Sequence, residues 1–241
     1  MLDSIPAKNI RHQDAILNNL AWVIQSPPII QGNNNHCHWA GNTFWQHANK
    51  QFATQSASPN PLALHQLINK QTDHRLGHYF ETLINYWFTN STRYQLLAQN
   101  LQVHDGKQTI GEFDFIVHDR QENKTQHWEV ACKFYLGIGN TKNIENWHGP
   151  MLKDKLVNKY QKMQAHQSKL SEHPVAQSLL KKLSIHIDQK ICLMKGRLFY
   201  PLNQEKRLPL PSFLITIYKV GGLNQTALFN ALKNIPFFGK F

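Results

Sequence analysis

Apolar positions recur with the period of an α-helix near the start of the chain. Ile16, Leu20 and Val23 share one face of a helix predicted over 12–25, and Pro27-Pro28 ends it because proline cannot continue a helix. The polar stretch 31–60 is predicted to form an irregular cap. Similar patterns predict helices at 61–70, from about residue 73, at 150–170, at 175–183 and at 225–232.

The period changes to two in the middle of the chain, which is typical of β-strands. Three strands are predicted over 94–103, 108–118 and 125–136, and Asp105-Gly106 is a turn signal that joins the first two as a hairpin. Later strands are predicted at 190–200 and 213–218. The order of elements predicts an α/β fold with a mixed β-sheet flanked by helices. Residues 1–72 would form an N-terminal helical extension and 73–241 the α/β domain.

The positive charge of the chain is unevenly distributed. The chain has 241 residues and a net charge of +11, and all of the excess lies in residues 121–241. Such an asymmetry favours an anionic partner, nucleic acid above all. No apolar run is long enough to cross a membrane, and the three cysteines form no metal-binding or disulfide pattern. We therefore expect a cytoplasmic protein without a membrane partner.

Two carboxylates interrupt an otherwise apolar strand. A period of two places Glu112 and Asp114 on one face of strand 108–118, opposite its phenylalanines, and places Glu129 and Lys133 on one face of the next strand. Carboxylates among apolar residues are costly unless they are solvated, paired or bound to a cation. One interpretation is a divalent-metal site, in which a lysine orients the attacking water. The other is a solvated edge strand in which Lys133 pairs with Glu112 or Asp114 across the sheet.

These residues resemble the PD-(D/E)XK nuclease superfamily. Gly111-Glu112-Phe113-Asp114 is similar to its G-E-h-D strand (h is apolar), Glu129 to the acidic residue of the next strand, and Glu81 to the acidic residue of the preceding helix. The resemblance covers about 73–170 and implies a restriction-endonuclease-like core that hydrolyses phosphodiester bonds in DNA or RNA. It also implies that Asp114 and Glu129 bind Mg²⁺ or Mn²⁺, with Glu112 or Glu81 as a further ligand or a supporting group and Lys133 positioning the water.

One position departs from the superfamily pattern. The lysine is expected two residues after the acidic residue, where this chain has Ala131, and Lys133 lies four residues after Glu129. Four residues of strand span roughly 13 Å, so Lys155 or Lys159 of the next helix is an alternative source of the ammonium group. The alternative function is a catalytically inactive nucleic-acid-binding protein of the same fold.

The chain also resembles, more narrowly, an uncharacterised bacterial family, a domain of unknown function placed in that superfamily. The resemblance extends from near the N-terminus past residue 200. The matching phrases include Leu20-Ala21-Trp22, Leu76-Gly77-His78-Tyr79-Phe80-Glu81, Gly111-Glu112-Phe113-Asp114-Phe115, Glu129-Val130-Ala131-Cys132-Lys133, His166-Gln167 and Leu198-Phe199-Tyr200-Pro201.

Cations form one stripe on the helix predicted over 150–170. At about 100° per residue a narrow stripe contains Lys155, Lys159, Lys162, His166 and Lys169, beside an apolar stripe that includes Gln167. These six residues are predicted to contact nucleic acid, through phosphates rather than base edges because lysine rather than arginine dominates. The alternative is a solvated helix face without a partner.

Overall fold

A computed structural model describes residues 7–33, 37–40, 46, 48, 50, 60–73 and 75–200. The helices of these residues are α1 (Ala7–Gln25), α2 (Pro61–Asn69), α3 (Leu76–Asn90), α4 (Leu156–Ala165) and α5 (Pro174–Lys182). The strands are β1 (Gly32–Asn33), β2 (His38–Trp39), β3 (Tyr94–Asp105), β4 (Gln108–Asp119), β5 (Lys124–Gly137), β6 (Trp147–His148) and β7 (Gln189–Phe199). Two short 3-10 helices lie at Ile144–Asn146 and Gln167–Glu172.

The strands form one mixed sheet in the order β1-β2-β7-β5-β4-β3, and β6 pairs with the end of β5. The predicted meander is confirmed, because β3, β4 and β5 are antiparallel neighbours and the first two meet at a tight turn where Gly106 has φ 59°. β7 then runs parallel to β5 along eleven residue pairs. The fold is therefore α/β with a mixed sheet, as the pattern predicts.

One face of the sheet is covered by α1, α2 and α3. Their apolar faces join Phe115, Trp128 and Val130 in a single buried cluster. Trp128 is fully buried, and the rings of Trp87 and Phe88 meet it edge to face. The predicted domain boundary at residue 72 stays a prediction, but described residues on both sides of it share this cluster.

The other face carries α4, the 3-10 helix Gln167–Glu172 and α5, and here the predicted helix over 150–170 is wrong. The α-helix begins at Leu156 and ends at Ala165. Its residues Leu156 and Met163 pack into one apolar cluster, whereas Leu170 packs into another that contains Phe113 and Val103. The chain changes direction at His166 to reach the second cluster, so His166 and Lys169 leave the predicted stripe.

Several predicted elements lie partly or wholly outside the described residues. The strand at 213–218 and the helix at 225–232 do so completely, and of the predicted cap over 31–60 the structure shows mainly β1 and β2 at the edge of the sheet. None of the helices in the described ranges combines the length and hydropathy needed to cross a bilayer.

Gly196 of β7 is paired with Lys133 of β5. Its φ of 142° is one that other residues rarely adopt, and a Cβ atom there would lie 1.6 Å from the carbonyl oxygen of Lys133. A Cβ atom added to Gly77 in α3 would have no neighbouring atom within 4 Å.

Gly196→Ala is therefore expected to lower the free energy of unfolding by about 3 kcal/mol or more, since both backbone strain and a clash with β5 arise. Urea unfolding followed by circular dichroism measures the change. The matched variant Gly77→Ala should raise the same free energy by up to about 1 kcal/mol, because alanine favours a helix and nothing is displaced. Equal effects of the two variants would contradict this account of the β5–β7 contact.

Candidate functional site

The β4 and β5 strands separate halfway along their length. Their pairing runs from Asp119↔Lys124 to Phe115↔Trp128, and the next pair in this register would be Asp114 and Glu129. At that point the Asp114 Oδ2 atom accepts a hydrogen bond of 2.8 Å from the Val130 backbone N–H. A side chain thus satisfies a backbone donor that the neighbouring strand no longer reaches, and the sheet opens into a fork.

The predicted alternation of β4 is wrong at the fork. Phe113 packs with Ile116 and Leu170, whereas Phe115 packs on the opposite face with the α3 helix. The pairs of β3 with β4 pass from Leu101↔Phe113 to Gln99↔Phe115 without a pair at Asn100 and Asp114, and Asn100 has φ 49°. This kink reverses the faces of both strands together and turns the Asp114 carboxylate towards β5.

The 3-10 helix Gln167–Glu172 covers the fork. Leu170 lies against Gly111, where even a Cβ atom would come within 2.9 Å of the leucine side chain. Glycine in the Gly-Glu-Phe-Asp segment thus allows this helix to approach β4. The same approach brings Gln167 over β5, where its Nε2 atom donates a hydrogen bond of 2.8 Å to Glu129 Oε2.

Glu129 is held by a continuous chain of hydrogen bonds. Its Oε1 atom lies 2.8 Å from His127 Nε2, on the same face of β5, and its Oε2 atom bonds to Gln167. The other end of the Gln167 amide, Oε1, accepts a hydrogen bond of 3.1 Å from the Lys159 ammonium. Gln167 therefore links a buried carboxylate on β5 to a half-buried lysine on α4.

The carboxylates of the fork are shifted towards their protonated forms. Burial raises the pKa of Glu129 to about 8, and Glu112 and Glu81 act in the same direction, whereas the charge of Lys159 opposes the shift. Burial also raises the pKa of Asp114 well above its usual value, and the charge of Glu129 adds to this. Several carboxylates thus share a region in which the charge of Lys159 compensates part of their negative charge.

Glu81 and Glu112 lie at the rim of this region. Glu81 belongs to α3, and its pKa is raised first by burial, while His78, 3.3 Å away, opposes the shift. Its pKa is also raised by Glu112, whose carboxylate accepts a hydrogen bond of 3.0 Å from Gln102. The structure therefore brings Asp114, Glu129, Glu81 and Glu112 into one electrostatically coupled group.

Lys133 forms its hydrogen bond outside this group of carboxylates. Its ammonium donates a hydrogen bond of 2.9 Å to Asp154 Oδ2, which also accepts one of 3.3 Å from the Tyr135 hydroxyl. Lys159 instead bonds through Gln167 to Glu129, and burial lowers its pKa while Asp114 and Glu129 oppose this shift. Of the predicted cations, Lys162 and His166 are exposed, and Lys155 and Lys169 are half-buried.

His127 is a residue of this site that the sequence pattern did not predict. Burial lowers its pKa to about 4, so the ring is neutral at physiological pH, and its Nδ1 atom has no hydrogen-bond partner among the described residues. Its ring meets the Phe113 ring edge to face at 4.7 Å between centroids. The spacing His-x-Glu in a strand was the available signal, because residues two apart share a face.

The carboxylate oxygens of the fork are of the type that binds a hard divalent cation, but few of them lie together. Asp114 and Glu129 supply the carboxylate oxygens that Mg²⁺ or Mn²⁺ prefers. Within the described ranges, however, no three His, Cys, Asp or Glu side chains form a metal-binding group. A cation held by these two carboxylates alone would keep water or phosphate at its other positions, which is usual for Mg²⁺. The raised pKa values of both groups favour added positive charge.

The fold and this site together define an α/β protein with a forked mixed sheet and a buried carboxylate pair next to a lysine. The chain belongs to the family described as the domain of unknown function DUF1853, whose model matches residues 18–223. No curated protein and no solved structure matches the chain. The resemblance to an uncharacterised family is thus confirmed at the level of this domain, and membership of the PD-(D/E)XK superfamily stays a prediction.

Glu129→Gln should remove part of the pH dependence of stability in metal-free buffer. A carboxyl with a folded-state pKa of about 8 binds more protons in the folded than in the unfolded chain, so its contribution to stability is lost as the pH rises through 8. Between pH 7 and 9 the wild type should lose about 1 kcal/mol more unfolding free energy than Glu129→Gln. His127, whose folded-state pKa is lowered to about 4, contributes only about 0.2 kcal/mol over this range, with the opposite sign and equally in both proteins.

Urea unfolding at several pH values with EDTA measures this difference. Glu122→Gln, at an exposed glutamate of the β4–β5 turn, is the matched control and should follow the wild type. Parallel curves for the wild type and Glu129→Gln would rule out a buried, proton-binding Glu129.

Proposed function

We propose that this protein is a metal-dependent nuclease of the PD-(D/E)XK type, which hydrolyses phosphodiester bonds in DNA or RNA with Mg²⁺ or Mn²⁺. The observation that carries the proposal is the fork between β4 and β5. It holds Asp114 by the Val130 N–H and Glu129 by Gln167, and Gln167 also bonds the Lys159 ammonium. Carboxylates beside a lysine, at a fork between two strands, are a suitable arrangement for attack on a phosphate.

Each residue of the fork has a distinct task in this proposal. Asp114 and Glu129 would hold the cation, which would neutralise charge on a phosphate oxygen and acidify a water molecule. Lys159 orients the attacking water, the task that the superfamily pattern assigns to a lysine on the strand. Gln167 positions Lys159, because one amide group accepts from the ammonium and donates to Glu129. Glu81 adds negative charge from the opposite side of the fork.

The substrate class follows from charge. The chain carries a net charge of +11, and Lys155 and Lys162 lie on either side of Lys159, at the start of α4 and along it. Lysines in a row contact a phosphate backbone with little preference for sequence. The proposal therefore includes DNA and RNA without a recognition sequence.

A second candidate is a catalytically inactive nucleic-acid-binding protein of the same fold. It is favoured by the bonds that already occupy both oxygens of Glu129 and by Lys159, which supplies positive charge without any metal. This candidate shares the basic surface with the first and differs in having no dependence on divalent cations.

Asp114→Asn decides between the two candidates. Asparagine retains an oxygen that can accept from the Val130 N–H but removes the charge, so the fold should persist. Cleavage of labelled single-stranded and double-stranded DNA and RNA with Mg²⁺ or Mn²⁺ should fall by about 100-fold or more and should be abolished by EDTA in the wild type. The inactive protein is the correct candidate if the wild type cleaves none of these nucleic acids and binds them with the same affinity as Asp114→Asn.

Lys159→Met should lower kcat by about 100-fold and change KM little, because the ammonium acts on the water rather than on substrate binding. Lys162→Met, one turn along α4 and exposed, should raise KM about twofold and leave kcat unchanged, since it contributes only phosphate attraction. Steady-state cleavage kinetics separate the two constants. A loss confined to KM in both variants would contradict the role of Lys159.

A further inference from the structure

Three exposed apolar side chains lie on the segments next to β6, at one end of β5. Among the described residues, Met151 is 73% exposed, Leu152 47% and Ile138 45%. Ile138 follows β5 and its backbone N–H bonds to Asn146, just before β6, while Met151 and Leu152 follow β6 in the 149–154 loop. Exposed apolar side chains on neighbouring segments are typical of a contact surface.

The 149–154 loop is closed by its own backbone. The Gly149 N–H donates to the Asp154 carbonyl and the Leu152 N–H donates to the Gly149 carbonyl, both at 2.8 Å. The Asp154 carboxylate, in turn, is bonded to Lys133 and Tyr135 on β5. The loop therefore presents Met151 and Leu152 from a fixed base rather than from a loose segment.

Leu152 occupies a strained backbone position. Its φ of 60° lies in the left-handed region, where glycine and asparagine are common and a bulky side chain is an outlier. Such strain is costly and is concentrated at functional sites. Stability alone would favour glycine or asparagine here, so the strained leucine points to this loop as a candidate contact site.

The loop leads directly to the lysines of α4. Lys153 is exposed within the loop, and Lys155 follows it as the residue before α4. Lys159 lies one helical turn further, where it bonds through Gln167 to Glu129. A nucleic-acid strand whose phosphates contact these lysines between the fork and the loop would place its next nucleotides on Met151 and Leu152.

We propose that Met151 and Leu152 pack against unpaired nucleobases, so that the fork receives single-stranded or frayed nucleic acid. This rests on the proposed function, to which it adds the substrate form. Proteins that bind single strands combine a basic track for the backbone with flat or apolar side chains for the bases, and apolar side chains can also part neighbouring bases. A paired duplex end offers such side chains only the faces of its terminal bases.

A lipid surface is the less suitable partner for the same loop. The lysines next to the loop continue along α4 to the buried carboxylates, where a phosphate backbone has a use and a flat membrane does not reach. A blunt duplex would meet the lysines but would leave the apolar side chains with little to cover them.

The experiment measures binding with EDTA present, so that no cleavage is needed. Fluorescence anisotropy compares a blunt duplex, the same duplex with a single-stranded overhang, and the same overhang built of abasic nucleotides. Met151→Ser with Leu152→Asn should weaken binding of the overhang about fivefold or more and leave the blunt duplex unaffected. The wild type should bind the abasic overhang as weakly as this double variant binds the normal one.

Thermal unfolding provides the control for folding. Asparagine relieves the strain at residue 152, so the double variant should unfold at a temperature no lower than the wild type. Leu62→Asn, at a similarly exposed leucine of α2, should bind all three probes like the wild type.

The outcomes separate the inference from the proposed function. If the wild type binds no nucleic acid at low salt, the proposed function fails as well. Only the inference fails if the double variant binds the normal overhang as tightly as the wild type does. It also fails alone if the wild type binds the abasic overhang as tightly as the normal one. Binding to anionic lipid vesicles is measured for the same two proteins. If the double variant loses vesicle binding and binds all three nucleic-acid probes like the wild type, the loop belongs to a membrane contact instead.

Discussion

The hydrogen bond from the Val130 N–H to the Asp114 carboxylate is the interaction on which the site depends. Beyond Phe115↔Trp128 the two strands part, although β5 stays paired with β7 as far as Leu136↔Phe199. An N–H at such an edge would be unsatisfied in a dry interior, and a side chain of the departing strand satisfies it. The sheet can therefore open inside the fold without the loss of its backbone bonding.

The opening determines what covers it and what it can hold. The 3-10 helix Gln167–Glu172 closes one side, with Leu170 on Gly111 and Gln167 on Glu129. Carboxylates that would repel one another in the open fork are kept by burial close to their protonated forms, and Lys159 partly compensates them. A cation or a phosphate-bearing ligand would change this balance of charge, and the proposed function therefore assigns the chemistry to the fork.

The sequence predicted the elements well and the details of the fork poorly. Helix and strand periods, the Pro27-Pro28 stop and the Asp105-Gly106 turn are local signals. The structure confirms them within the described residues, apart from the helix predicted over 150–170. The kink at Asn100 and Asp114 is not local, because it depends on two strands bending together. The same limit explains the helix predicted over 150–170: its spacing is helical throughout, yet Met163 and Leu170 pack into separate clusters.

By itself the sequence determined the α/β class, the meander, the acidic residues on its strands and the surplus of lysine in the second half, since all of these follow from residue type and spacing. Only the tertiary structure decided which lysine is linked to the carboxylates by hydrogen bonds. Lys133 is nearer to Glu129 along the chain but bonds to Asp154, while Lys159, thirty residues away, reaches Glu129 through Gln167. Spacing along a strand measures separation in one direction, whereas the approach of α4 to β5 is set by packing.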